Sequence, residues 1–119
     1  MAAHNELGRR GEELALDLLL KKGYEIRETN WRHQKAEIDI IAQKGKVLVA
    51  VEVKTRASSL FGDPQDFVGA KKKQLLVRAM DAYVNDRELD AEVRFDVIGI
   101  LLNESSSGVV HLEDAFYHF

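Results

Sequence analysis

Apolar and polar residues recur along the chain with two different periods, and these periods predict seven secondary-structure elements. Apolar residues at three- and four-residue intervals predict helices over residues 6–22 and 65–85. Alternating or continuous apolar runs predict five strands, and these lie at 24–31, 36–43, 46–54, 93–102 and 109–115. The resulting order is αβββαββ. It predicts one α/β domain over residues 1–119, with a mixed β-sheet flanked by helices.

The boundaries of these elements carry the expected signals for turns and caps. Asn5 is expected to cap the first helix, and Gly23 is expected to end it. Lys44 and Gly45 predict a tight hairpin between the second and third strands. A loop is predicted over residues 57–64, which contain the single proline.

Composition narrows the class of protein without naming a function. A chain of 119 residues with 45% hydrophobic and 31% charged residues is typical of one globular domain. The absence of cysteine excludes disulfides and thiolate metal sites. No window approaches the roughly 18–20 apolar residues of a membrane span, and the first ten residues are polar, unlike a signal peptide. We therefore expect a cytoplasmic protein.

Three charged residues interrupt the predicted strands where apolar residues would be simpler to bury. Asp39 lies inside the run Ile38-Asp39-Ile40-Ile41, and Glu52 and Lys54 close the third strand. Removing a carboxylate or an ammonium from water costs several kcal/mol, in order of magnitude, unless it is paired or binds a metal. Aspartate also forms strands poorly. The pattern therefore indicates a site.

Alternation along the third strand places Glu52 and Lys54 on one face, together with Ala50. A tight turn at Lys44-Gly45 sets Asp39 opposite Ala50 and Glu37 opposite Glu52. In that register Asp39 and Glu52 are diagonal neighbours, about 7–8 Å apart at their α-carbons. Whether Glu37 or Asp39 lies closer to Glu52 depends on this register, since a one-residue slip reverses the faces.

Two carboxylates at this spacing suit a divalent cation bound by oxygen ligands, and Mg²⁺ or Mn²⁺ is the expected cofactor. Lys54 lies on the same face and is placed to polarise a water or to stabilise an oxyanion. These are the parts of metal-assisted phosphodiester hydrolysis. The simpler alternative is that Glu52 and Lys54 lie at an exposed strand end, and that Asp39 faces solvent on a one-sided sheet.

The first helix offers a fourth acidic residue. At 100° per residue, Glu12 falls at the margin of the apolar stripe, whereas Glu13 falls on the solvated side. Glu12 is therefore the glutamate expected to face the sheet. The alternative is a carboxylate favoured near the helix N-terminus by the helix dipole.

These residues together resemble a known group of enzymes. Glu12, then Asp39 in Glu-Ile-Asp-Ile-Ile, then Glu52-Val-Lys54 after a hairpin resemble the PD-(D/E)XK nuclease superfamily, which has a restriction-endonuclease-like αβββαβ core. Gly8-Arg-Arg-Gly-Glu12 and Arg94-Phe-Asp-Val-Ile look more narrowly like the YraN-type bacterial family of predicted endonucleases, which is similar to archaeal Holliday-junction resolvases. The chain departs from the superfamily name because Ile38 replaces the proline.

The resemblance implies roles for individual residues. It implies that Glu12, Asp39 and Glu52 are metal ligands or their close support, and that Lys54 is the catalytic lysine. Gln74, on the second helix, matches a polar residue that some of these nucleases direct at the site, and the alternative is a solvated helix position.

Function follows as an expectation: a metal-dependent endonuclease acting on DNA, on branched or structured substrates, as a homodimer. The residues expected to contact DNA are basic and lie near the predicted site: Arg9, Arg10, Arg56 and Lys71. The net charge of −3 argues against tight binding to plain duplex DNA. The alternatives are a non-catalytic nucleic-acid-binding or assembly domain that retains the nuclease fold, and a scaffold with no nucleic-acid partner.

Overall fold

The computed structural model describes residues 2–57, 68–105 and 107–115, with side chains from Glu6 onward. Two helices and five strands follow the predicted order: α1 (Ala2–Lys21), β1 (Glu25–His33), β2 (Ala36–Lys44), β3 (Val47–Arg56), α2 (Ala70–Asp86), β4 (Glu92–Leu102) and β5 (Ser107–Leu112). The predicted loop over 57–64 lies outside the described residues apart from Ala57, as does the predicted start of the second helix at 65–67.

The five strands form one mixed sheet in the order β1-β2-β3-β4-β5. Neighbouring strands are antiparallel, except that β3 and β4 are parallel. A parallel pair needs a long crossover connection, and α2 lies in that connection. The mixed sheet with flanking helices confirms the predicted fold class and its αβββαβ core.

The helices cover opposite faces of the sheet. Ala15 and Leu19 of α1 pack in one apolar cluster with Val49 and Val51 of β3. On the other face Leu48 and Ala50 pack in a second cluster with four residues of α2, which are Leu76, Ala79, Met80 and Tyr83. Alternation along β3 therefore divides the core, as its period of two predicts.

Helix α1 ends as predicted but begins earlier. Gly23 has a left-handed φ of 93°, and the amides of Gly23 and Tyr24 donate to the carbonyls of Leu20 and Leu19. These two hydrogen bonds form a Schellman motif, which satisfies carbonyls that the helix leaves free. Asn5 lies within the helix rather than at its cap, because α1 already begins at Ala2. The prediction of an Asn5 cap is therefore wrong.

Gly11 allows α1 to lie directly against β3. A Cβ atom at Gly11 would come within 1.9 Å of Thr55 Oγ1, a distance that no pair of non-bonded atoms tolerates. The helix therefore crosses the sheet near the end of β3. This crossing brings the next residue, Glu12, close to the strand that carries Glu52.

Asp96 of β4 is a buried acid that connects this strand to His111 of the neighbouring edge strand β5. Asp96 is 0% exposed. Its carboxylate accepts two hydrogen bonds from Arg94 and one from the Asp114 amide, and His111 Nε2 lies 2.7 Å from Oδ2. Burial alone would raise the pKa of Asp96, but the hydrogen bonds from His111, Arg94 and Asp114 outweigh it and lower that pKa.

None of the described helices is long and apolar enough to cross a membrane.

Candidate functional site

The β2–β3 hairpin brings Asp39 and Glu52 together, in a register different from the predicted one. Lys44 pairs with Val47, and Ala50 pairs with Ile41 rather than with Asp39. The predicted register was therefore wrong by two residues. The turn consists of Gly45 and Lys46, because Gly45 supplies the left-handed φ of 61° that a two-residue hairpin needs at its first position. An even shift keeps the side chains on their predicted faces.

The regular β2–β3 backbone pairing ends at Ile40 and Val51. Beyond this pair, the side chain of Asp39 contacts β3. Its Oδ2 accepts a hydrogen bond from the Val53 amide at 2.8 Å. Ile38 and Ile40 pack on opposite faces of the sheet, so the alternation of β2 is broken at Asp39. Continuing the register would pair Asp39 with Glu52. Asp39, and not Glu37, is thus the acidic residue of β2 that lies nearest to the end of β3.

Asp39 and Glu52 line one cleft between the first turns of α1 and the last residues of β3. The cleft has a volume of about 280 Å³. Its lining combines three acidic residues with one arginine and with small or apolar residues: Leu7, Gly8, Glu12, Asp39, Glu52, Val53, Thr55 and Arg56. The structure therefore brings together the three acidic residues that the sequence singled out.

Glu52 is buried, and two lysines neutralise it. The residue is 5% exposed. Its Oε2 lies 2.5 Å from Lys72 Nζ and 3.3 Å from Lys54 Nζ. Pairing with two ammonium groups offsets the cost of burying a carboxylate. The simpler alternative, a solvated Glu52 at an exposed strand end, is therefore wrong.

Lys72, rather than Gln74, is the residue of α2 that contacts Glu52. Gln74 is exposed. Residues two positions apart on a helix point about 200° away from each other, so Lys72 and Gln74 do not face the sheet together. Gln74 is not among the residues that line the cleft or contact Glu52, so its expected role there stays a prediction. Sequence reasoning missed Lys72, because three consecutive lysines carry no periodic signal for which of them faces the sheet.

Burial and neighbouring charge both act on Asp39. Burial is the largest effect and raises its pKa, and the charge of Glu52 raises it further. The hydrogen bond from the Val53 amide lowers it, Glu12 adds a smaller increase, and Lys72 lowers it again. The result is a pKa of about 7 instead of the ordinary 3.8. Asp39 thus exchanges its proton near neutral pH.

Glu12 faces the cleft, whereas Glu13 is exposed and pairs with Arg9, as helix geometry predicted. Glu12 Oε1 accepts a hydrogen bond from Asn30 Nδ2 at 3.2 Å. Among the described residues, however, no three His, Cys, Asp or Glu side chains are grouped to hold one metal ion. The joint role of Asp39, Glu52 and Glu12 as metal ligands therefore stays a prediction. Of the roles that the resemblance left open for Glu12, this arrangement fits support of the cleft.

The four basic residues expected to contact DNA are all exposed. Arg56 lines the cleft itself. Arg9 lines an adjoining cleft of about 530 Å³, which shares Gly8 and Glu12 with the first, and it forms ion pairs with Glu6 and Glu13. Arg10 and Lys71 are exposed on α1 and α2. Of the four, only Arg56 and Arg9 thus line the acidic cleft or the cleft that adjoins it.

The donor set of the cleft fits a hard divalent cation. Two carboxylates, Asp39 and Glu52, line the cleft on the neighbouring strands β2 and β3, and all their donor atoms are oxygen. Mg²⁺ commonly takes one or two protein carboxylates and completes its shell with water and substrate phosphate. A two-carboxylate site is therefore compatible with the lack of a three-ligand group among the described residues.

Fold and cleft together define the class: an α/β domain whose central strands carry an acidic cleft, with two lysines paired to the buried Glu52. The chain belongs to the uncharacterised protein family UPF0102, whose model matches residues 11–100. This match confirms the resemblance to the YraN-type family.

Relatives of the same family name match over the whole chain. A UPF0102 protein of Flavobacterium psychrophilum is 58% identical over 119 residues, and one of Christiangramia forsetii is 56% identical over 119 residues, each with both chains fully covered. A UPF0102 protein of Phocaeicola vulgatus is 43% identical, covering 98% of this chain and 97% of the relative. Among solved structures, Pyrococcus furiosus SfsA in complex with Ca²⁺ matches 92% of this chain and 63% of its own, with a TM-score of 0.40 and 14% identity.

Proposed function

We propose that this protein is a divalent-metal-dependent endonuclease that hydrolyses phosphodiester bonds in branched or otherwise structured DNA. The observation that carries the proposal is that Asp39 and Glu52 line one cleft, while Lys54 Nζ lies 3.3 Å from Glu52 Oε2. Holding Asp39 there raises its pKa to about 7. Strongly perturbed carboxylates in a cleft are typical of functional sites.

The residues of the cleft suit the separate tasks of phosphodiester hydrolysis. Asp39 and Glu52 would hold Mg²⁺ or Mn²⁺. When bound, such an ion supplies an activated water and neutralises phosphate charge. Lys54 contacts Glu52 and is 24% exposed, and its ammonium would offset the charge that develops on the phosphate. Arg56 would bind a neighbouring phosphate with its planar guanidinium.

The charge of the whole molecule supports a structured substrate. The net charge of −3 gives no general attraction to duplex DNA. Recognition would instead depend on the shape of the substrate around the cleft. A homodimer would present two clefts related by two-fold symmetry, one for each of two strands.

Two observations favour a second function, a nucleic-acid-binding or assembly domain without catalysis. Lys54 and Lys72 already neutralise Glu52, and the described residues contain no three-ligand group for a metal. Such a domain would bind DNA in a salt-sensitive manner but would not cleave it.

A cleavage assay separates the two functions. Junction, flap, single-stranded and linear duplex substrates are incubated with Mg²⁺ or Mn²⁺ and with wild-type protein, Lys54→Ala or Asp39→Ala. Lys46→Ala and Asp81→Ala, which change exposed residues away from the cleft, serve as matched controls. We expect cleavage of at least one substrate, a loss of more than about 100-fold in both cleft variants, and wild-type rates in both controls. No cleavage by the wild type, or cleavage at the wild-type rate by both cleft variants, would overturn the catalytic proposal.

A further inference from the structure

Lys72 makes a closer contact with Glu52 than Lys54 does, although it comes from a different layer of the fold. Its Nζ lies 2.5 Å from Glu52 Oε2. We infer that Lys72 holds the place of the divalent cation at Glu52, so that the cation binds in direct competition with this lysine. The inference rests on the proposed function, because the competing ion is the proposed Mg²⁺ or Mn²⁺.

The two lysines at Glu52 differ in their freedom to leave. Lys54 belongs to β3, two residues beyond Glu52, and its side chain is 24% exposed. Lys72 belongs to α2 and is 43% exposed, so its ammonium can turn into water without disturbing the sheet. A lysine has a long flexible stem and a strongly hydrated head, which suits such an exchange. Lys72 is therefore the partner that can yield to an ion.

The total charge around Asp39 and Glu52 explains why Lys72 must move away from Glu52 when a cation binds. With Asp39, Glu52 and Glu12 ionised, the three acids together with Lys54 and Lys72 carry a formal charge of −1. Without Lys72 the same group carries −2, so its attraction for a divalent cation is stronger. Lys72 also acts electrostatically on Asp39, so its charge extends to the second proposed ligand. The ammonium thus opposes cation binding at both carboxylates.

A carboxylate as buried as Glu52 also needs a cation when no metal is bound. An unpaired buried charge costs several kcal/mol, in order of magnitude. Lys72 offsets this cost for Glu52 and fixes its carboxylate through the 2.5 Å contact in the metal-free protein. It is thus a positioning residue, which acts through Glu52.

Calorimetric titration with MnCl₂ tests the inference without any activity assay. The proteins compared are wild type, Lys72→Gln, Lys72→Met, Lys72→Arg and Glu52→Gln, with Arg78→Gln as a control for loss of one exposed positive charge on α2. Circular dichroism and urea unfolding first establish that each variant is folded. The Mn²⁺ signal in electron paramagnetic resonance provides a second measure of bound ion.

We expect Lys72→Gln and Lys72→Met to bind Mn²⁺ about tenfold more tightly than wild type, because a competing charge has been removed. Lys72→Arg and Arg78→Gln should bind as wild type does, and Glu52→Gln should lose binding. Measurable wild-type binding that Lys72→Gln leaves unchanged would overturn the competition but not the metal site. Absence of Mn²⁺ binding in every variant would overturn both the competition and the metal dependence of the proposed function.

Discussion

Replacing Asp39 with asparagine should stabilise the protein at neutral pH and flatten the pH dependence of its stability. Asparagine has nearly the same shape and does not ionise. Asp39 has a pKa of about 7 in the folded protein, against an ordinary value of 3.8. From about pH 4 to about pH 7 the folded state therefore binds more protons than the unfolded state. Linkage then requires that the free energy of unfolding of the wild type falls as pH rises through this interval.

The size of the effect follows from the two pKa values. Their difference, at about 1.4 kcal/mol for each pH unit, gives about 4 kcal/mol of lost stability once the pH exceeds about 7. An asparagine in place of Asp39 would avoid this cost but would accept a weaker hydrogen bond from the Val53 amide, which lowers the gain by about 1 kcal/mol. We therefore expect Asp39→Asn to exceed the wild type by about 1–3 kcal/mol at pH 8.

Urea unfolding between pH 5 and pH 8 measures this difference, with a chelator present to exclude cations. Other titrating groups contribute equally to both proteins, so the difference in unfolding free energy isolates Asp39. Asp81→Asn, which changes an exposed aspartate of α2, serves as the control and should show no pH-dependent difference. A difference between wild type and Asp39→Asn that stays constant from pH 5 to pH 8 would refute the reasoning.

Two further predictions concern stability. A Cβ at Gly8 meets no atom of the described residues within 4 Å, so Gly8→Ala should stabilise α1 by about 0.5–1 kcal/mol. Gly11→Ala should instead destabilise the protein by about 1–3 kcal/mol, because its Cβ clashes with Thr55. Urea midpoints that shift in the same direction for both variants would contradict this contrast. Asp96→Asn should cost about 3 kcal/mol, because it leaves the buried ends of Arg94 and His111 without a charged partner. A loss below about 1 kcal/mol in urea unfolding would show that the network does not stabilise the fold.

The fold could be predicted from the sequence because its elements carry strong local signals. The period of two along β3 correctly divided Val49 and Val51 from Ala50 and Glu52. Boundaries were less certain: β5 runs over Ser107–Leu112 rather than 109–115, and β1 extends to His33. Strand ends depend on pairing with neighbouring strands, which no local pattern contains.

The sequence predicted which acidic residues form the candidate site better than it predicted how they are arranged. Asp39 stood out because its neighbours are apolar, but its position depended on which residues form the hairpin turn. Asp96 lies in a similar run, Phe95-Asp96-Val97, so the same signal would have identified it as a buried acid. The contact of Lys72 with Glu52 joins residues 20 positions apart and depends on how α2 packs on the sheet.

The most direct test of the account is a crystal structure of the protein grown with Mn²⁺ and measured for anomalous scattering. The account predicts an anomalous peak in the cleft, bound by the carboxylates of Asp39 and Glu52, with Lys72 turned away from Glu52. A map with no peak in the cleft at saturating Mn²⁺, and with Lys72 still in contact with Glu52, would contradict it.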